Sequence, residues 1–91
     1  MTWYVYLARC SDHSLYCGIT NNLVKRELTH NSGKGSKYTR SRLPVKFIWF
    51  ESHPTKGSAL SREFKIKKLS KKQKELLVLC QNNSAEQMIE N

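Results

Sequence analysis

Acidic residues are scarce in this chain: seven Asp and Glu stand against sixteen Lys and Arg, a formal charge of +9 over 91 residues. Such an excess points first to nucleic acid, then to an acidic membrane surface, and last to an acidic protein. Long apolar stretches are missing as well. No run approaches the roughly 18 residues of a membrane span, and the opening Met1-Thr2-Trp3-Tyr4 has no basic segment leading into an apolar one. Membrane-spanning and secreted readings are disfavoured, and the cytoplasm is the expected compartment. Cysteine is sparse and odd in number. Cys10, Cys17 and Cys80 form no C-x-x-C pair, and His13, His30 and His53 complete no zinc-ligand spacing with them. Neither a disulfide frame nor a zinc knuckle is indicated. Apolar residues, at 38%, suffice for one modest core. A single domain, monomeric and without repeats or linkers, is expected.

Trp3 to Arg9 alternates aromatic and branched residues and predicts a strand. Ser11-Asp12-His13-Ser14 is turn chemistry, and Leu15 to Ile19 predicts the returning strand of a hairpin. Period two puts Trp3, Val5 and Leu7 on one face of the first strand and Tyr4, Tyr6 and Ala8 on the other. If the apolar sets share a core face, Tyr6 and Tyr16 share the opposite one. Thr20 or Asn21 can cap a helix that runs to about His30. Residues 31–43 read as a Gly-, Ser- and Lys/Arg-rich loop, and Val45 to Phe50 as a third strand. Ser58 can cap a second helix, and Ser70 with Gln73 makes a capping box for a third. The order β-β-α-β-α-α specifies an α+β domain over residues 1–80 with a small antiparallel sheet flanked by helices. Residues 81–91 are expected as a polar tail, in which Ser84 and Gln87 allow one more short helix.

Four features carry chemistry. The first is the tyrosine pair, although strand tyrosines ordinarily just pack with their hydroxyls at the surface. The second is Arg26 with His30, four apart on one side of a helix. Two solvated side chains are the ordinary reading; a phosphate clamp beside a titratable imidazole is the other. The third is Glu63, whose neighbours at helical spacing are Ala59, Leu60 and Ile66, so that its carboxylate leaves the apolar side of a basic helix. It needs a cation, either a Lys or Arg from elsewhere or a hard divalent metal such as Mg²⁺ or Mn²⁺. The fourth is basic density. The 34–46 segment carries five Lys and Arg and no acid, and residues 62–74 carry seven with Glu63 alone among them. Two such stretches favour nucleic-acid binding over a merely solvated face.

The ordered set Tyr4-Val5-Tyr6, Tyr16-Cys17-Gly18-Ile19-Thr20, Arg26 and His30 resembles the paired motif of the GIY-YIG nuclease superfamily. Asn31-Ser32-Gly33-Lys34-Gly35, Tyr38-Thr39-Arg40, Pro44 and the run from Ala59 through Glu63 to Ser70 resemble its small stand-alone bacterial members, whose function is uncharacterised. The resemblance covers about residues 2–78. It implies a three-stranded antiparallel sheet and a metal-dependent phosphodiesterase site. Residue by residue it assigns catalysis to Tyr6, Tyr16, Arg26, His30 and Glu63, with Glu63 the metal ligand and Gly18 structural. Both motifs depart from the pattern: Tyr4 and Val5 stand where Gly-Ile is usual, and Cys17 where a branched residue is usual.

Phosphodiester hydrolysis needs an activated water and support for the developing charge. An ordinary tyrosine is only about one part in a thousand ionised at neutral pH, a cost of roughly 4 kcal/mol, so nearby cations must lower its pKa. The expected arrangement places the five catalytic candidates on one concave, positive surface. Lys34, Lys37, Arg40, Arg42, Lys67 and Lys68 are expected to hold nucleic acid, most naturally DNA, through its phosphates. The rival reading is a nucleic-acid-binding module without turnover, or an accessory factor in a repair or recombination complex.

Overall fold

The computed structural model describes residues 1–90, with side chains described through residue 80. Strands β1 (Trp3–Arg9), β2 (Leu15–Thr20) and β3 (Lys46–His53) form one antiparallel sheet in the order β2-β1-β3. Between β2 and β3 lie α1 (Leu23–Asn31) and a single turn, α2 (Lys37–Arg40); α3 (Lys56–Lys67) and α4 (Lys71–Glu90) follow. The expected α+β sheet-and-helix architecture is the one observed, with one addition. The segment read as loop contains α2, whose Ser36 and Thr39 cap one another reciprocally.

Local chemistry fixes the helix starts one or a few residues away from the expected caps. Asn22, rather than Thr20 or Asn21, caps α1, because Thr20 is still the last paired residue of β2 while the Asn22 side chain accepts from Lys25 N at 3.0 Å. Thr55, rather than Ser58, caps α3 by accepting from Ser58 N at 3.1 Å. The Ser70–Gln73 box forms as expected, with both reciprocal bonds present. The separate short helix expected after residue 80 is corrected: α4 runs unbroken from Lys71 to Glu90.

The sheet has helices on both faces. On one, Val5, Leu7, Cys17 and Trp49 meet Ala59 and Ile66 of α3 and Val78 of α4. Arg9 locks α4 to β1 through a two-pronged pair with Glu75, 2.5 and 2.6 Å. On the other face Tyr6, Ala8, Cys10 and Val45 pack with Tyr16, Leu23, Leu43 and Phe47. A bulge makes this second core. Leu7 pairs with Trp49 but Ala8 pairs with Phe47, so Ile48 is the extra residue. Strict alternation would put Phe47 and Trp49 on the same face; the extra residue turns Phe47 over to the tyrosines.

Candidate active site

Tyr6 stands in the central strand, directly across from Gly18 on β2. A Cβ at Gly18 would lie 2.5 Å from the Tyr6 hydroxyl oxygen, so only glycine leaves room for that ring. Phe47 stacks on the ring from the β3 side at 4.0 Å and 15°. The hydroxyl meets His30 Nε2 at 2.8 Å, and His30 Nδ1 meets Thr39 Oγ1 at 2.8 Å. Tyr6, His30 and Thr39 are at most 1% exposed, so this is a chain of hydrogen bonds sealed inside the protein. Gly35 makes the sealing possible: a side chain there would run into the His30 ring and its Cα.

Burial sets the protonation of this chain. Desolvation pushes the Tyr6 hydroxyl up to about 12, against the pull of the Arg26 side chain, which reaches it. Desolvation, helped by the Arg26 charge, brings His30 down to about 4, so the imidazole is neutral at pH 7. The surface histidine weighed from the sequence is corrected here. His30 faces inward, because α1 lays that side of itself on the sheet, and its ring nitrogens are spent on Tyr6 and Thr39.

Tyr16 lies beside this chain on the same sheet face, as alternation predicts. Its ring touches Tyr6 at 6.4 Å and His30 at 5.5 Å between centroids. It is half-buried, and among the described residues its hydroxyl makes no hydrogen bond and is not a buried orphan. Tyr38 of α2 stacks on Tyr16 at 5.8 Å and 25°, and the Arg42 guanidinium lies 3.9 Å from the Tyr38 ring centre. Arg26 lines a cavity of about 220 Å³ with Thr20, Asn21, Asn22, Lys25 and Thr29. Two cations and no acid border this space, which suits an anion.

Glu63 comes from the other direction. It sits on α3 between Ala59 and Ile66, both fully buried against the face opposite Tyr6, and its carboxylate pairs with Lys67 at 3.4 Å. Its charge is felt at Cys17, whose thiol is pushed up to about 12, by burial first and Glu63 second. The five residues therefore do not line one face of the sheet. Tyr6, Tyr16, His30 and Arg26 gather on the α1 side, Glu63 on the α3 side, and the edge strand β2 is what the two groups share.

The basic residues divide by what already holds them. Lys34, Lys37 and Arg40 are exposed, with no side-chain partner among the described residues. Arg42 is committed to the fold instead: besides covering Tyr38 it pairs with Asp12 at 3.0 Å and donates to the Tyr38 carbonyl at 2.9 Å. Lys67 pairs with Glu63, and Lys68 lies 4.2 Å from the Phe64 ring centre. Sequence reasoning gave no role to Thr39, Tyr38 or Lys25. Two signals were visible: Tyr38-Thr39-Arg40 is part of the resemblance, and Ser36 stands three residues before Thr39, the spacing of a reciprocal cap.

Residues 2–76 match the GIY-YIG catalytic domain. A UPF0213 protein of Clostridium perfringens is 55% identical over 75 residues, which are 82% of this chain and 81% of that protein. The UPF0213 protein YazA of Bacillus subtilis is 48% identical over 83 residues, 91% of this chain and 84% of its own. The solution NMR structure of a UPF0213 protein from Bacillus halodurans aligns with a TM-score of 0.57 at 41% identity, covering 88% of this chain and 85% of that one. A second NMR structure, of an E. faecalis protein, aligns at 0.61 and 38% identity, covering 90% and 88%.

Proposed function

The chain belongs to the GIY-YIG catalytic-domain family, a family of endonucleases, and from that membership we propose that it hydrolyses phosphodiester bonds in DNA with the help of a divalent metal. One observation carries the reading. Tyr16 keeps an unpaired hydroxyl while its ring touches Tyr6 and His30, Tyr6 is buried and engaged, and Arg26, which reaches the Tyr6 hydroxyl, lines an acid-free cationic cavity. Tyr16 is then the group that takes the proton from the attacking water. Tyr6, pushed up to about 12, is the wrong tyrosine for that task and acts as the rigid floor under it. Arg26 holds the phosphate, its guanidinium suited to two-pronged contact with the nonbridging oxygens. The same side chain lies next to the Tyr6 hydroxyl and the His30 imidazole, where its charge opposes the rise that burial imposes on Tyr6.

The donor set fits a hard cation in an open form only. Glu63 offers one carboxylate, and among the described residues no three His, Cys, Asp or Glu side chains gather into a cage. Glu63 would hold Mg²⁺ or Mn²⁺, the remaining ligands being water and substrate phosphate. When bound, such an ion supplies charge stabilisation at the phosphate and leaving oxygen. With affinity supplied by backbone phosphates through Lys34, Lys37 and Arg40, recognition follows the shape of the nucleic acid more than its sequence.

A second reading, a binding module or accessory factor for repair or recombination, draws on the position of Glu63. Its carboxylate is paired with Lys67 and sits on the layer opposite the tyrosines. Cleavage of a panel of branched, nicked and single-stranded DNAs with Mg²⁺ or Mn²⁺ decides between the two. For the nuclease, Glu63→Gln binds DNA at least as well as wild type, since it removes a negative charge, yet does not cut. No cleavage by wild type on any substrate hands the case to the binding module. Cleavage by Glu63→Gln at the wild-type rate removes Glu63 from the site.

A further inference from the structure

We propose that Tyr38 is the positioning residue of Tyr16, held in place by a loop of contacts that starts and ends on β2. The catalytic consequence rests on the nuclease reading; the loop of contacts does not. A proton acceptor must aim its oxygen at one place, and a hydrogen-bonded hydroxyl is aimed by its partner. The Tyr16 hydroxyl has no partner among the described residues, so its direction comes from the packing of the ring. Three aromatic rings pack against it. Tyr6 at 6.4 Å and 43° and His30 at 5.5 Å and 67° meet it at an angle from the buried chain. Tyr38 lies nearly parallel, 5.8 Å away and 25° from its plane, and a parallel neighbour is the one that opposes tilting of the ring.

Tyr38 is an exposed residue on a single turn of helix, and such a turn does not by itself fix a side chain. Arg42 does. Its guanidinium lies 3.9 Å from the Tyr38 ring centre, and its Nη1 donates to the Tyr38 carbonyl at 2.9 Å and to the Ser41 hydroxyl at 3.2 Å. Arg42 is held in turn through Nε, which donates to Asp12 Oδ2 at 3.0 Å. The other oxygen of Asp12 accepts from Ser14 N at 3.0 Å and from the Ser14 hydroxyl at 2.5 Å. The backbone joins at the same place, with Ser11 N donating to the Arg42 carbonyl at 2.9 Å. Ser14 precedes Leu15, the first residue of β2, and Tyr16 is the second. The path from Tyr16 through Tyr38, Arg42, Asp12 and Ser14 thus closes two residues from where it began. Each link alone is weak, since exposed ion pairs and a cation over an exposed ring add little stability. Closure is what gives them a use: no link moves without the next, and Tyr38 stays against Tyr16.

The test is proton NMR of the Tyr16 ring in the full chain at pH 7, with nuclease kinetics alongside. Wild type is expected to show through-space contacts between the ring protons of Tyr16 and Tyr38. Tyr38→Leu, which removes the flat neighbour, should shift the Tyr16 ring signals and lower kcat about tenfold or more, with KM changed less than twofold. Tyr38→Phe keeps the ring and should match wild type in both. Asp12→Ala leaves all the rings in place but releases Arg42; it should shift the Tyr16 signals and lower kcat less than Tyr38→Leu does. A wild type without the ring-to-ring contacts overturns the proposal. So does a Tyr38→Leu variant with wild-type kcat or unchanged Tyr16 signals, and so does a Tyr38→Phe variant that loses as much as Tyr38→Leu. If Tyr38→Leu does not fold, Asp12→Ala decides, and unchanged Tyr16 signals there overturn the proposal. If wild type cuts no DNA while the Tyr16 signals follow Tyr38, the nuclease reading falls and the loop of contacts stands.

Discussion

Acidifying the protein should unfold it through His30 before its carboxylates matter. The imidazole is fully buried and both nitrogens are bonded to neutral groups. Its pKa falls from an ordinary 6.5 to about 4. The unfolded chain accepts a proton below pH 6.5 that the native state refuses until about 4, so this stabilisation is complete above 6.5 and is lost as pH falls toward 4. Linkage between those two values removes about 2 kcal/mol on going from pH 7 to pH 5, a large share of the roughly 5–15 kcal/mol that holds a small domain. Glu75 and Asp12 act lower. Arg9 holds the Glu75 carboxyl below its usual range, and Ser14 holds that of Asp12, so both lose their contribution only as pH drops through the carboxylate region. Urea unfolding at pH 7, 6 and 5 measures the loss, and His30→Asn, which does not titrate, should abolish the slope in that window. Equal stability of wild type at pH 7 and pH 5 would refute the reasoning, as would an NMR titration of His30 with a midpoint near 6.5.

Further outcomes are expected at the tyrosines, at Gly18 and among the cations. Tyr6→Phe should lose about 1–3 kcal/mol in urea unfolding, because it leaves His30 Nε2 without its partner; Tyr16→Phe should stay within about 0.5 kcal/mol and abolish cleavage. Gly18→Ala should cost about 1–3 kcal/mol, since its methyl meets a Tyr6 hydroxyl that the His30 bond keeps from moving. Replacing Lys34, Lys37 and Arg40 together by Ala should weaken DNA binding on every sequence and reduce the slope of log affinity against log salt by about 3. Arg42→Ala should differ from them, lowering the unfolding midpoint through loss of its Asp12 and Tyr38 contacts while leaving the salt slope nearly unchanged.

Period-two alternation by itself put Tyr6 and Tyr16 on one sheet face, because side-chain direction in a strand is a local property. The Ser70–Gln73 cap, the turn residues and the spacing of Arg26 and His30 were likewise readable, since each depends on neighbours within four positions, whereas the caps of α1 and α3 fell on Asn22 and Thr55 instead of the residues expected. The family resemblance in the ordered motifs was also present in the sequence, and residues 2–76 match the domain it names. Burial and partner choice were not readable. Whether His30 points to solvent or inward depends on which flank of α1 the sheet receives, and that is set by contacts with Tyr6, Phe47 and Thr39 from three other segments. The Ile48 bulge, which brings Phe47 to the tyrosines, comes from pairing between β1 and β3 across about forty residues of chain. The same holds for charge. Composition alone gave the +9 excess, but only the folded chain assigns Arg42 to Asp12 and Tyr38, Lys67 to Glu63, and leaves Lys34, Lys37 and Arg40 facing solvent. Ion pairs and ring contacts form between side chains that tertiary packing brings within a few ångströms, and one-dimensional spacing carries no record of that distance.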